Sequence, residues 1–262
     1  MSQELTFKNH GELIKTLSLT QVEKITPAQT VTVFDHLLSE EQRYIGFQVD
    51  ALLTGVFGEQ WKTTEEILFT CSDGYQRSVP SSLFREYSAY LVYSNPDNGK
   101  FALVNKLQNN EIVSLGPFYL VWDNIKSPEF KAKIGSYWPY QVTTIDLISF
   151  SERFPNMSPP DSSNKNVKNG FLGFKQYCMA CHTINGDGGE KSIELNYPVS
   201  VTEYMKESWL IKWIDNPRGI RFDTTMPVLN QNLKDRETTI KNIIAYLKVM
   251  KNNKKKPRII ER

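Results

Sequence analysis

The order of apolar and polar residues changes along the chain, and the first 150 residues follow a strand-like pattern. Short runs of β-branched and aromatic residues, such as Val31–Phe34, are separated by turn residues, as in Ser72–Tyr75. The predicted strands are Leu13–Leu19, Thr30–Phe34, Glu66–Cys71, Gln76–Val79, Tyr90–Tyr93, Phe101–Val104, Phe118–Trp122 and Val142–Phe150, and the predicted helices are Asp50–Phe57 and Pro80–Tyr87. This pattern predicts an α+β domain with a mixed sheet.

The pattern becomes helical from Lys168 onward. Apolar residues recur at a spacing near 3.6 between Gly170 and Cys178, and Glu207–Pro217 has one apolar face before it ends at a proline. The closing helix carries apolar residues at i, i+3, i+4 and i+7, namely Ile240, Ile243, Ile244, Leu247 and Met250. The sequence therefore predicts an all-α domain in this part of the chain.

A segment rich in Pro, Ser and Asn separates the two patterns at residues 151–167. Pro159 and Pro160 make part of it extended and stiff, and no regular element fits it. We therefore expect a domain at 1–150, a linker at 151–167, a second domain at 168–252 and a basic tail at 253–262.

Composition and charge narrow the classes of function. Hydrophobic residues make up 40% of the chain, but no apolar run approaches the 18 residues of a membrane span, so we expect no stable membrane insertion. Residues 1–166 carry 14 Lys and Arg against 19 Asp and Glu, whereas residues 167–262 carry 17 against 10. Much of the basic excess lies in the solvated tail, so we predict no nucleic-acid partner.

The short stretch Cys178-Met179-Ala180-Cys181-His182 carries the most specific chemistry in the sequence. Two thiols three residues apart, followed by an imidazole, form the attachment pattern of c-type haem. A structural zinc site needs about four protein ligands, and the other Cys and His residues are distant in sequence. A thioredoxin-like redox pair needs a βαβ setting, which this pattern lacks. We therefore predict one haem c, held by Cys178 and Cys181 and ligated by His182.

Covalent haem attachment of the bacterial kind implies export across the cytoplasmic membrane. The residues Met1 to Glu4 show neither the basic nor the apolar region of a signal peptide. We therefore expect the sequence to represent a mature or recombinant form of a periplasmic protein, with its leader removed.

Several residues around the thiol pair make residues 168–250 resemble the class I cytochromes c. Gly170 and Phe174 match the small and aromatic contacts where the first helix of that family crosses the last, and Tyr246 matches the aromatic residue on the last helix. The loop Asn185–Gly189 matches the flexible loop after the histidine. The resemblance implies that the carbonyl of Pro198 accepts the Nδ1 proton of His182.

The same resemblance supplies the second axial ligand of the haem iron. The stretch Arg221–Pro227 matches the loop of the family that carries a methionine, which implies that Met226 provides the thioether. Trp209 and Trp213 lie one turn apart and are expected to line the haem pocket, although both also suit a plain core. A His/Met set leaves no open iron position and favours electron transfer.

The first domain resembles the sulfite-oxidase-like molybdopterin-binding fold. The resemblance covers residues 10–150 and depends on Lys15–Leu19, Arg43–Gly46 with Ala51–Leu53, Phe69–Tyr75 and Gly116–Val121. It implies that Cys71 occupies the position of the molybdenum ligand. Burial as a small core residue is the alternative, which the shortness of the domain favours. His36 is a further candidate for a pterin contact.

Two functions follow from these observations. The favoured one is a periplasmic monohaem cytochrome that exchanges electrons with redox partner proteins, with the first domain as a cofactor-free docking or scaffold module. The alternative is a molybdenum-cofactor oxidoreductase for sulfite- or sulfoxide-type substrates, with the haem as a built-in relay. The sequence leaves open whether the protein is an enzyme and what its oligomeric state is.

Overall fold

The structure is a computed structural model and describes residues 3–35, 38–97, 99–105, 110–127 and 137–257. These residues divide into two compact units, one ending at Arg153 and the other beginning at Phe154. The division falls inside the Pro/Ser/Asn-rich segment 151–167. Among the described residues, no helix combines the length and the apolar character needed to cross a membrane.

The first unit is built mainly from strands. In chain order they are β1 Glu4–Asn9, β2 Glu12–Ser18, β3 Gln29–Asp35, β4 Glu40–Gln48, β5 Glu66–Cys71, β6 Gln76–Pro80, β7 Ala89–Ser94, β8 Ala102–Asn105, β9 Glu111–Ser114, β10 Tyr119–Trp122 and β11 Val142–Ile148. The helices are α1 Leu19–Ile25, α2 Val49–Phe57, α3 Ser81–Glu86 and α4 Phe150–Arg153, with a 3₁₀ turn at Gly58–Lys62.

The larger sheet has the strand order β2-β1-β11-β5-β6. It is a mixed sheet, because β1 runs parallel to β11 while the other neighbours are antiparallel. Leu5 and Phe7 alternate along β1 and are fully buried, since successive side chains of a strand point to opposite faces. Strand β11, near the end of the first unit's sequence, lies in the middle of the sheet and pairs with β1 from its beginning.

A second sheet has the order β10-β7-β4-β3, and β8 pairs with β9 as a separate hairpin. Helix α2 buries Leu52 and Leu53 in the main apolar core, beside the side chains of Trp61 and Trp122. Asp35, the last residue of β3, is buried although it is polar. It accepts hydrogen bonds from the hydroxyls of Tyr44 and Tyr119, both at 3.2 Å. Burial and this carboxylate raise the pKa of both tyrosines, so both keep their protons.

The second unit contains helices and a small hairpin. Its elements are α5 Lys165–Tyr177, β12 Thr183–Ile184, β13 Asp187–Gly188, α6 Val201–Tyr204, α7 Glu207–Asp215, a 3₁₀ turn at Pro217–Gly219, and α8 Arg236–Met250. Strands β12 and β13 pair antiparallel through Thr183 with Gly188 and Ile184 with Asp187. The two residues between them, Asn185 and Gly186, have φ of 54° and 82°, as a two-residue hairpin turn requires.

The prediction of an α+β domain followed by an all-α domain is therefore wrong. Over the described residues the structure is mixed α/β, and β-structure occurs in both units. The residues Asn185–Gly189, predicted as a flexible loop, contain the hairpin turn and strand β13. Asn185 is fully buried, and its side-chain amide donates to the carbonyls of Asn156 and Asn253, which fixes the turn.

Helices α5 and α8 cross closely, and Gly170 makes the close approach possible. A Cβ atom at this position would overlap the carbonyl oxygen of Asn242. The ring of Tyr246 packs on Phe174, with 5.4 Å between the ring centroids, and its hydroxyl donates to the carbonyl of Met157 at 2.6 Å. The structure thus confirms the predicted contact of the two helices at Gly170, Phe174 and Tyr246.

Candidate functional site

The paired thiols and the histidine lie on one turn that continues from the end of helix α5. The carbonyl of Phe174 accepts from the amides of Cys178 and Met179 at 2.8 and 3.0 Å, which closes the helix. The carbonyl of Cys178 then accepts from the amides of Cys181 and His182 at 3.1 and 3.0 Å. This winding places all three functional side chains on a single turn, and neither thiol is in a disulfide.

A glycine allows the chain to return directly over this turn. The amide of Gly189 donates to the carbonyl of Met179 at 2.7 Å, and a Cβ atom on Gly189 would overlap the carbonyl oxygen of Ala180. Because any larger residue would have to move the backbone, the fold of the hairpin and the shape of the Cys178–His182 turn depend on each other.

The thiol of Cys178 is held in its protonated form. Burial, together with a smaller effect of the neighbouring thiol of Cys181, raises the pKa of this thiol to about 12. Among the residues that the structure describes, no three His, Cys, Asp or Glu side chains are grouped in a way that could hold a metal ion.

The imidazole of His182 is oriented through its Nδ1 atom. This nitrogen lies 2.9 Å from the carbonyl oxygen of Ile193, and since a carbonyl can only accept, Nδ1 carries the proton. Nε2 is then the unprotonated nitrogen that can bind a metal. Burial lowers the pKa of His182, against the opposing effects of the Ile193 hydrogen bond and the charge of Glu194, which keeps the ring neutral at pH 7.

The carbonyl that holds His182 is not the predicted one. The resemblance implied Pro198, whereas the structure places the carbonyl of Ile193 at this position, five residues earlier. Pro198 itself is exposed and follows the segment that carries Ile193. No sequence pattern distinguishes Ile193 from its neighbours, because its role depends on the backbone carbonyl and not on the side chain.

Met226 and Trp213 are brought together. The indole Nε1–H of Trp213 donates to the sulfur of Met226 at 3.0 Å, which joins helix α7 to the loop that carries the methionine. Met226 is half-buried, and its amide donates to the hydroxyl of Thr224 at 3.3 Å. The structure therefore places Met226 in a defined loop conformation, beside one of the two tryptophans predicted to line the pocket.

Trp209 occupies a different environment. Its side chain is 49% exposed, and the ammonium group of Lys212 lies 4.8 Å from the ring centroid. The buried face of α7 is formed by Leu210 and Ile214. Trp209 is therefore not a core residue, and its role as a wall of the haem pocket stays a prediction.

The second unit contains features that fit a haem. Nε and Nη2 of Arg218 are buried and have no hydrogen-bond partner among the described residues, and a haem propionate could accept from both atoms. Large apolar side chains are also exposed in this unit, at Ile193, Val199 and Phe222. Two thiols on one turn, an imidazole with an unprotonated Nε2 and a half-buried thioether complete the set that covalent haem binding needs.

Cys71 does not fit a molybdenum cofactor. It ends strand β5, is 3% exposed, and lies in the apolar core with Phe69, Phe118 and Val142. Its amide donates to the carbonyl of Tyr75 at 2.9 Å, which closes the predicted turn. A ligand thiolate must face the cofactor, whereas this side chain is buried among the residues of the apolar core. His36, the other pterin candidate, lies outside the described residues.

Comparison with known proteins does not identify a family. A scan against models of protein families found no match, and a search of curated proteins found none either. The resemblances to the class I cytochromes c and to the sulfite-oxidase-like fold therefore depend only on the residues named above.

Proposed function

We propose that the protein is a monohaem electron-transfer protein. Cys178 and Cys181 hold one haem through thioether bonds, and His182 and Met226 ligate its iron. The observation that carries this proposal is the turn Cys178–His182, on which two thiols stand beside an imidazole whose Nδ1 proton is already bound by a carbonyl. When bound, the haem supplies a one-electron iron couple.

The side chains of this turn suit attachment and ligation. Cys178 and Cys181 would each hold the haem through a thioether, in which the sulfur is bonded to one carbon of a former vinyl group and the thiol proton has gone to the other, so that no oxidant is needed. The protonated state of Cys178 supplies that proton. The neutral ring of His182 offers Nε2 to the iron without first losing a proton.

Met226 makes the site an electron-transfer site. A thioether is a soft, uncharged ligand, and His/Met ligation raises the reduction potential of a haem. Trp213 orients the sulfur, and His182 and Met226 would together hold the iron. Because no position is open to a substrate, electron exchange with redox partner proteins is the activity that this set supports.

The first unit serves in this proposal as a docking or scaffold module without a cofactor. Its cysteine lies in the apolar core, which suits a structural residue. We further propose a periplasmic location, because covalent attachment of haem in bacteria requires export of the chain.

Metal analysis of the full chain tests the proposal. The protein is produced in a bacterial host with the machinery for c-type haem maturation, and iron, molybdenum and the visible spectrum are measured. We expect about one iron per chain and no molybdenum. The double replacement Cys178→Ala/Cys181→Ala should remove the iron, while the matched control Cys71→Ala should keep it. Molybdenum near one per chain, lost in Cys71→Ala, would instead establish the alternative.

A further inference from the structure

The carboxylate of Glu194 collects four backbone amides in the second unit. Glu194 directly follows Ile193, whose carbonyl binds His182. The donors are the amides of Asn185 (2.9 Å), Asn196 (2.8 Å) and Tyr197 (3.0 Å) to Oε1, and the amide of Gly186 (2.8 Å) to Oε2. Hydrogen bonds to an ionised acceptor are about twice as strong as neutral ones. One side chain therefore ties the β12–β13 turn to the segment that carries Ile193.

The backbone around Glu194 runs beside the Cys178–His182 turn. The amide of Ser192 donates to the carbonyl of Cys181 at 2.8 Å, and the amide of Leu195 donates to the carbonyl of Thr183 at 3.0 Å. Between these two contacts, the carbonyl of Ile193 accepts from His182. Residues 192–195 thus bind the residues on both sides of His182 as well as its ring.

These contacts assign a role to Glu194. We propose that Glu194 is a positioning residue for the iron ligand His182, an inference that rests on the haem function proposed above. Its carboxylate holds both the hairpin turn and the segment after Ile193. The Ile193 carbonyl therefore stays in place, and the His182 ring presents Nε2 in one orientation.

The same arrangement affects the reduction potential of the haem. A carbonyl on Nδ1 makes the imidazole a stronger donor, which favours ferric iron. The negative charge of Glu194 acts in the same direction, because it favours the more positive oxidation state. Loss of the carboxylate weakens both effects, so the reduction potential rises.

The test compares two replacements that change the net charge equally. Glu194→Gln replaces one carboxylate oxygen with an NH2 group, which is a hydrogen-bond donor. This group would face backbone amides that donate to the carboxylate in the unaltered protein. Glu237→Gln, on α8, removes a carboxylate that is 80% exposed and pairs only with Lys241 among the described residues. The haem content and the midpoint potential of both holoproteins are measured beside those of the unaltered protein.

We expect equal haem content in all three proteins. In Glu194→Gln the redox equilibrium should shift toward the reduced form by about tenfold, which is 59 mV for one electron. In Glu237→Gln the shift should be less than about twofold. An unchanged potential in Glu194→Gln, or equal shifts in both variants, would overturn the assignment.

Hydrogen exchange in the unaltered protein gives a second test that does not require a variant to fold. We expect slow exchange of the Nδ1 proton of His182 and of the four amides bound to Glu194. Exchange of these amides at the rate of an unfolded peptide would overturn the positioning role. Absence of covalent haem from the unaltered protein would refute the proposed function, whereas the exchange of the four amides would still decide whether Glu194 holds the loop.

Discussion

The indole Nε1–H of Trp213 donates a hydrogen bond to the sulfur of Met226 at 3.0 Å. A thioether sulfur is a weak acceptor with two lone pairs, so one remains for a metal. The bond spans the 3₁₀ turn and the loop between α7 and Met226, and it orients the sulfur without binding both lone pairs. Trp213 therefore both restrains Met226 and reduces its electron-donor strength.

Replacement of Trp213 by Phe should lower the reduction potential of the haem. Without the indole N–H, the sulfur becomes a better donor to ferric iron, and the expected change corresponds to roughly 1 kcal/mol or less, the net value of a typical hydrogen bond. Tyr204→Phe is the control, because Tyr204 lies in the same unit and its side chain is 58% exposed. A protein-film or solution redox titration distinguishes the two. Equal potentials in the two variants would show that the Trp213–Met226 bond does not act on the iron.

Replacement of Met226 by Ala should remove the sulfur-to-iron charge-transfer absorption of the oxidised protein. The band requires a thioether on the iron, and Met226 is the methionine that the loop presents. Met205→Leu, in the same unit, is the control and should keep the band. Survival of the band in Met226→Ala would mean that another methionine is the ligand.

Replacement of Gly170 by Ala should destabilise the second unit by about 1–3 kcal/mol or more, as overpacking does in a closely packed core. The new methyl group would overlap the carbonyl of Asn242, which belongs to the backbone of α8 and cannot move alone. Gly173→Ala is the control, because its Cβ would lie 3.0 Å from Cγ1 of Ile243, a side chain that can adjust.

In Gly173→Ala, the higher helix propensity of alanine, worth about 1 kcal/mol, offsets the tighter contact. Urea unfolding followed by circular dichroism measures both variants. Equal loss of stability in Gly170→Ala and Gly173→Ala would contradict the close crossing of α5 and α8 at Gly170.

Asp146 should stabilise the first unit more at acidic pH than at neutral pH. Burial raises the pKa of this carboxyl, against the opposing effects of the Gly11 amide and of Arg153, so the folded state binds the proton more tightly than the unfolded chain. The added stability is complete below the unfolded pKa of about 3.9 and is lost as the pH rises through the higher folded value.

The comparison with Asp146→Asn isolates this effect. We expect the free energy of unfolding of the unaltered protein, minus that of the variant, to increase as the pH falls from about 7 to 4, by at most about 1.4 kcal/mol per pH unit. Denaturant titrations at several pH values measure it. A difference that becomes smaller as the pH falls would mean that the fold stabilises the charged carboxylate of Asp146 and not the protonated carboxyl group.

The sequence predicted the helices and strands that are specified by their own residues. Strand β5 was predicted at its observed bounds, and α2 differs from its prediction by one residue at its start, since both combine a strong apolar pattern with clear turn residues. Strands β1, β4 and β9 of the first unit were missed. Glu40 to Arg43 begin β4 with four polar residues, and their strand conformation depends on pairing with β3.

The candidate site was also predicted only in part. The thiols, His182 and Met226 are recognisable because their side chains carry the chemistry. Asn185-Gly186 carried the strongest short-range signal for a hairpin, but the flanking strands have two residues each, too few for a visible alternation. The roles of Ile193 and Glu194 come from a carbonyl and from four backbone amides that meet only in the folded chain.

The proposed function depends on covalent binding of one haem by Cys178 and Cys181. Intact mass spectrometry of the denatured protein, after production with the c-type maturation machinery, tests it most directly. We expect a mass equal to that of the chain plus one haem, which Cys178→Ala/Cys181→Ala reduces to the mass of the chain alone. A denatured protein with the mass of the bare chain, produced beside a c-type protein that matures normally in the same host, would contradict it.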